Sequence, residues 1–318
     1  MNNRDIHNCL RNIPGLAAWP EVLNLFPAND IPLRTDWALP TYTMKAAGLT
    51  ASAALPIAAA LACIQISIML VDDILDDDPR GKHISMGVGR AANLALALQA
   101  AAHMAVDTLD TSQECRYQVS TCLQEMALDT AAGQELDMQP IVGESGYWRL
   151  VSAKSTPFYA AALESGAILG GVSETTRQII RSLGVRFGEI IQIMDDLDDA
   201  FQSPAKPDWQ RQDNNLVILY AKTALHPAHL QFLELLDHLE NPGTLVAAQQ
   251  ILIDCGAVSY CLYQIIQRLQ ESLNLLHGAG LPNPQSILSL YDLQIRPLAT
   301  LLRTIGVPLP QELQVLKL

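Results

Sequence analysis

Aromatic side chains make up only 5% of this 318-residue chain, and positive charge is short as well, with 20 Lys and Arg against 33 Asp and Glu. The resulting net charge of −13 excludes nucleic acid as an expected partner, because a phosphate backbone is gripped by Lys and Arg. Alternating β-branched runs between Gly or Asn turns are lacking too. That excludes a sheet and leaves 3.6-residue apolar periodicity as the recurring pattern. The six cysteines (Cys9, Cys63, Cys115, Cys122, Cys255, Cys261) form no Cys-x-x-Cys pair and no Cys/His zinc spacing. Most lie in apolar helical stretches, as reduced thiols of a cytoplasmic protein do. The seven histidines show no ligand pattern, and His83 reads as a solvated loop residue. Met1 to Leu10 is polar, without the apolar core of a signal peptide.

Hydrophobic residues reach 49% and charged ones 17%, enough apolar material for a large core. With no low-complexity linker and no mid-chain shift in composition, the expectation is one all-α domain over residues 1–318, with 1–14 and 307–318 less ordered. Helices are expected over Trp37 to Gly48, Ala51 to Asp78, Gly89 to Leu109, Ser112 to Met138 (ended by Pro140) and Gly146 to Gly171. Ser173 is a suitable N-cap for the next one. Phe201 to Asn214 reads as an ordered loop, and shorter helices follow over Pro227 to Glu240, Thr244 to Cys255, Ser259 to His277 and Pro284 to Thr304. Ala46 to Val71 is uncharged and long enough to cross a bilayer. Its Pro56, Gln65, many alanines and sparse flanking anchors fit a buried core helix instead, so no integral membrane span is expected.

Two aspartate clusters stand out against this background. The first is Asp72-Asp73-Ile74-Leu75-Asp76, continued by Asp77 and Asp78; the second is Asp195-Asp196-Leu197-Asp198-Asp199. Each has the spacing Asp-Asp-x-x-Asp and closes a long apolar run. On a helix, positions i and i+4 put carboxylates on one face a turn apart. Negative charge at a helix C-terminus opposes the macrodipole, and a cation removes that cost. Mg²⁺, which binds through a few carboxylates while keeping water and phosphate ligands, is the natural candidate.

Further residues fall around these clusters in a recognisable order: Gly133-Gln134-Glu135-Leu136-Asp137, Lys154-Ser155-Thr156 before Ala160 to Gly171, Gln192-Ile193-Met194 before Asp195, and Lys206-Pro207. With them, the chain resembles the trans-isoprenyl diphosphate synthase (polyprenyl synthetase) family over nearly its whole length. The resemblance implies a helical bundle of the isoprenoid synthase type around a deep apolar cavity, commonly homodimeric. It implies three Mg²⁺ ions, with Mn²⁺ as a substitute, that hold the diphosphate of an allylic prenyl substrate. Asp72, Asp73, Asp76, Asp195, Asp196 and Asp199 are then the metal residues. Lys154 and Lys206 match lysines that contact the diphosphate, and Gln134, Ser155 and Gln192 match the polar lining of the reaction site. Arg80 is what remains of a pair of arginines after the first cluster. Ser67 and Ile68 occupy the positions that limit chain length in the family; with no aromatic plug there, a C15 or C20 substrate is expected, unless Leu96 or Met104 fills the space. Phe158 is among the few aromatics near the site.

The departures from the family are selective. Where relatives carry a Gly-Gly-Lys-x-x-Arg-Pro stretch for a second, homoallylic diphosphate, this chain has Leu33-Arg34-Thr35-Asp36-Trp37-Ala38-Leu39-Pro40. Gln65 stands in place of a histidine, and Gln212-Asp213-Asn214-Asn215 in place of a second distal lysine. Each lost cationic contact forgoes roughly 1.5–3 kcal/mol. The leading expectation is therefore a class I terpene synthase that ionises one prenyl diphosphate. The alternatives are a chain-elongating trans-prenyltransferase and, from another functional class, a non-catalytic subunit of a heteromeric prenyl synthase.

Overall fold

The computed structural model describes residues 1–139, 141–206, 209 and 214–314. Pro140, Pro207, Gln212, Asp213 and the last four residues, all part of the sequence reading, lie outside them. Among the described residues there are helices and no strands, apart from an isolated bridge between Asn2 and Pro32. In chain order the α-helices are α1 (Asn3–Arg11), α2 (Pro14–Ala17), α3 (Pro20–Leu23), α4 (Thr35–Ala46), α5 (Leu55–Leu75), α6 (Lys82–Met86), α7 (Val88–Asp107) and α8 (Gln113–Asp137). They continue as α9 (Gly143–Lys154), α10 (Thr156–Leu169), α11 (Glu174–Ala200), α12 (Leu216–Thr223), α13 (His229–Leu235), α14 (Pro242–Asp254), α15 (Ala257–Gly278), α16 (Gln285–Thr304) and α17 (Gln311–Gln314).

Three expectations change. Residues 1–14 are largely helical: Asn2 and Asp5 form a reciprocal capping box that starts α1, a device worth about 1 kcal/mol. The helix expected over Ala51 to Asp78 opens with a 3-10 turn at Ala51–Ala54 and ends at Leu75. Asp76 is its C-cap, and Asp77 turns into the left-handed region at φ 49. The helix expected over Gly146 to Gly171 is two helices, broken at Ser155, because Pro157 has no N–H with which to continue α9 into α10. Ser173 does accept the Thr176 N–H at 3.2 Å, as an N-cap should.

The chain divides into two compact units. The first comprises Met1–Ala131, Phe158–Gly184 and Ala279–Ile287. Its centre is α5, with Ile57 to Ile64 wholly buried against α1, α4 and α7. By length and composition α5 would suit a membrane, but a core helix that is apolar all round has the same signature. Close approach depends on Gly166, where a Cβ would meet the Pro40 carbonyl oxygen at 2.5 Å. The second unit comprises Ala132–Pro157, Val185–Gly278 and Leu288–Leu318. There α12 packs on α9, α13, α14 and α15, and Phe187 meets Tyr291 edge-on at 5.4 Å.

Candidate active site

In the first unit, the last turn of α5 carries Asp72 and Asp73, and Asp76 lies one turn on, its N–H donating to the Asp72 carbonyl at 2.9 Å. The i, i+4 relation thus survives although the helix stops. Asp72 and Asp73 are half-buried, and Asp76 and Asp77 are exposed. Asp73 accepts the Lys82 N–H at 3.4 Å at the start of α6. Arg80 folds back on Asp78, with its Nη2 2.8 Å from Oδ2. His83 is not solvated: its residue is 6% exposed and neither ring nitrogen has a hydrogen-bond partner.

The second unit wires its cluster differently. On α11, Asp195 is exposed and Asp199, one turn later, is half-buried, whereas Asp196 is 1% exposed. The Asp196 carboxylate accepts from the Tyr147 hydroxyl at 2.7 Å, Gln192 Nε2 at 2.8 Å and the Leu216 N–H at 2.8 Å. Gln192 in turn accepts from the Ser155 hydroxyl at 2.6 Å, and Asn215 donates to the Asp196 carbonyl at 2.9 Å. The carboxylate and burial together push the Tyr147 hydroxyl well above its ordinary pKa, burial being the larger cause. Asp196 is therefore an internal brace, oriented away from the side that Asp195 and Asp199 share.

The two lysines are each held by a carboxylate in the same unit. Lys154 Nζ lies 2.6 Å from Asp137, which also accepts from Asn214 at 2.7 Å. Lys206 Nζ lies 3.1 Å from Asp199. Gln134 is buried at the end of α8, and its Nε2 has no partner. Tyr147 and Asn215 are contributors the sequence reading passed over. An asparagine directly before the apolar run Leu216 to Ala221 was a legible N-cap signal, whereas nothing local marked Tyr147.

Among the described residues no three His, Cys, Asp or Glu side chains converge as a ready metal cage. The donor chemistry nevertheless suits Mg²⁺: each cluster offers hard carboxylate oxygens one helical turn apart, with an exposed member at each.

Around Arg34 to Trp37, the side chains satisfy one another. Trp37 Nε1 donates to Gln65 Oε1 at 2.6 Å, Gln65 Nε2 donates to Asp36 at 3.1 Å, and Arg34 reaches the same carboxylate oxygen at 3.1 Å. Ser67 is buried and donates to the Ala95 carbonyl at 3.0 Å while accepting from Gln99 at 3.1 Å; Ile68 beside it is half-buried. Leu96 and Met104 are 71% and 43% exposed, so neither is a plug within this chain. Phe158 is buried and meets Tyr159 edge-on at 5.5 Å, a core contact.

Comparison with known proteins bears on these residues. A model of the polyprenyl synthetase family matches residues 38–251, a span that includes both aspartate clusters. A geranylfarnesyl diphosphate synthase from Aeropyrum pernix is 28% identical over 232 residues, covering 67% of this chain and 72% of that protein. Among solved structures, a geranylgeranyl pyrophosphate synthetase from the archaeon Geoglobus acetivorans has a TM-score of 0.67 at 22% identity, covering 89% of this chain and 86% of that one. A polyprenyl synthase from Caulobacter crescentus CB15, crystallised with calcium and isoprenyl diphosphate, has a TM-score of 0.71 at 22% identity over 89% of each chain. These two structural likenesses show that the fold is shared.

Proposed function

The chain belongs to the polyprenyl synthetase family, and on that premise we propose that it is a Mg²⁺-dependent prenyltransferase. It joins an allylic prenyl diphosphate to isopentenyl diphosphate and releases diphosphate. The observation that carries this reading is the family match across both aspartate clusters, together with a relative that is itself a diphosphate synthase. The likeness favours chain elongation over the terpene-synthase expectation.

In this reading Asp72, Asp73 and Asp76 hold Mg²⁺ on one unit, and Asp195 and Asp199 hold it on the other. Asp196 is reassigned from ligand to brace, because its oxygens already serve Tyr147, Gln192 and Leu216. Bound Mg²⁺ supplies neutralisation of the diphosphate as it departs. Lys154 and Lys206 add positive charge from positions fixed by Asp137 and Asp199. Ser155 and Gln192, tied to Asp196, hold a rigid polar lining. A C15 or C20 allylic substrate, three Mg²⁺ ions, a single functional domain and a cytoplasmic location are parts of the same proposal. So is a homodimer, for which the exposed apolar residues Leu96, Met104, Tyr117 and Leu128 speak.

One observation favours a second reading. The Arg34–Asp36–Gln65–Trp37 network leaves little cationic character for a second diphosphate, as a terpene synthase acting on one substrate would have it. Purified protein with Mg²⁺ and farnesyl or geranylgeranyl diphosphate, with and without isopentenyl diphosphate, separates the two. A longer diphosphate that appears only with isopentenyl diphosphate supports elongation, and a hydrocarbon or alcohol from one substrate supports the second reading. No turnover under either condition, with copurification of an active prenyl synthase, overturns both in favour of a partner subunit.

A further inference from the structure

A histidine just after an acidic turn is ordinarily solvated, yet His83, in α6, is packed in, its side chain 5% exposed. The packing is close: a Cβ on Gly81 would meet His83 Nδ1 at 2.5 Å and the Asp73 Cβ at 2.9 Å, so imidazole and aspartate flank the same glycine. Neither ring nitrogen has a hydrogen-bond partner. Nε2 points toward Asp77, 3.9 Å from its Oδ1, and the Asp77 side chain is 97% exposed and able to swing. Asp77 itself sits in the left-handed region at φ 49. A buried imidazole with unpaired nitrogens, facing a carboxylate, offers a donor that the rest of the cluster lacks.

We propose that His83 and Asp77 form a mixed nitrogen–oxygen subsite for a divalent transition ion of the Co²⁺, Mn²⁺ or Zn²⁺ class. Two donors on one such ion, each bonded at about 2.0–2.2 Å, lie roughly 3 to 4 Å apart, and the His83–Asp77 separation falls in that range. Imidazole suits these ions, whereas Mg²⁺ takes oxygen donors. The subsite is distinct from the Mg²⁺ positions assigned to Asp72, Asp73 and Asp76, and water completes its coordination shell.

Calorimetric titration of the full chain with CoCl₂ and separately with MgCl₂, without any diphosphate, tests this. The expected result is Co²⁺ binding at least tenfold weaker in His83→Leu and in Asp77→Asn than in the unaltered protein, with the Mg²⁺ isotherm the same in all three. Unchanged Co²⁺ affinity in both variants overturns the proposal. Co²⁺ binding that persists in them and disappears in His226→Gln overturns it too, because the ion then sits at the His226–His229 pair. If His83→Leu loses its helical circular dichroism, the exposed Asp77→Asn variant decides alone. Because only ions are added, failure here leaves the proposed prenyl transfer untouched, and failure of prenyl transfer leaves this result standing.

Discussion

The two aspartate clusters share a spacing and little else. The first sits where a helix stops: Asp72 and Asp73 are the last carboxylates in α5, Asp76 is its cap, and the chain leaves through exposed Asp77. The second sits within α11, which runs on to Ala200, and its middle member is sunk into a hydrogen-bond network with Tyr147, Gln192 and Leu216. One motif has thus been built into the fold at one site and hung from its edge at the other. On the proposed reading, removing Asp72 is expected to cost mainly function, while removing the central carboxylate of the second cluster is expected to cost stability as well.

The largest effects should fall on both regions equally. Asp72→Ala and Asp195→Ala are each expected to lower turnover by about 10²–10³-fold, the cost of losing one preorganised charge contact, with thermal stability nearly unchanged. A steady-state assay beside a melting curve checks both halves. If either variant melts early, the contrast between ligand and brace is drawn in the wrong place.

Next in size is the contrast itself. Asp196→Ala strands the Tyr147 hydroxyl, the Leu216 N–H and the Gln192 amide in a buried site, and should destabilise by about 3 kcal/mol. Asp76→Ala, exposed, should stay within about 0.5 kcal/mol of the parent. Urea denaturation of the two variants measures the difference, and equal values would erase it.

Much of this was legible in the sequence, and the illegible part has a common cause. Most of the long helices, the clusters and the Ser173 cap follow from local periodicity and local side-chain chemistry, which act over four or five residues; α6 and α12 were not expected. That Asp196 and Asp195 part company was hidden because it depends on Tyr147, Asn215 and Leu216, which are 49, 19 and 20 residues away. The burial of His83 was missed for a similar reason: loop polarity says nothing about whether Gly81 lets the ring pack against Asp73. The break at Ser155 was readable from Pro157, and the capping box at Asn2 and Asp5 from its spacing.

A smaller effect sharpens the second region. Tyr147→Phe removes one buried hydrogen bond and is expected to cost about 1–2 kcal/mol at neutral pH. It should also change the alkaline limb. The Tyr147 hydroxyl has a folded-state pKa raised above its unfolded value of about 10, so its neutral form is favoured in the fold. Its contribution is fully present below pH ~10 and declines above it, by up to about 1.4 kcal/mol per pH unit, as the unfolded chain releases the proton. Stability followed from pH 8 to pH 11 should fall less steeply in Tyr147→Phe than in the parent. Identical slopes would mean that the hydroxyl is not held neutral by Asp196 and burial.

The claim beneath all of these is the proposal that Asp72 and Asp195 each bind divalent metal on which prenyl diphosphate binding depends. Calorimetric binding of a non-ionisable allylic thiolodiphosphate, with and without Mg²⁺, to the parent, Asp72→Ala and Asp195→Ala tests it most directly. The account predicts binding in the parent only when Mg²⁺ is present, and at least tenfold weaker binding in each variant. Binding of equal strength without metal, or in both variants, would contradict it.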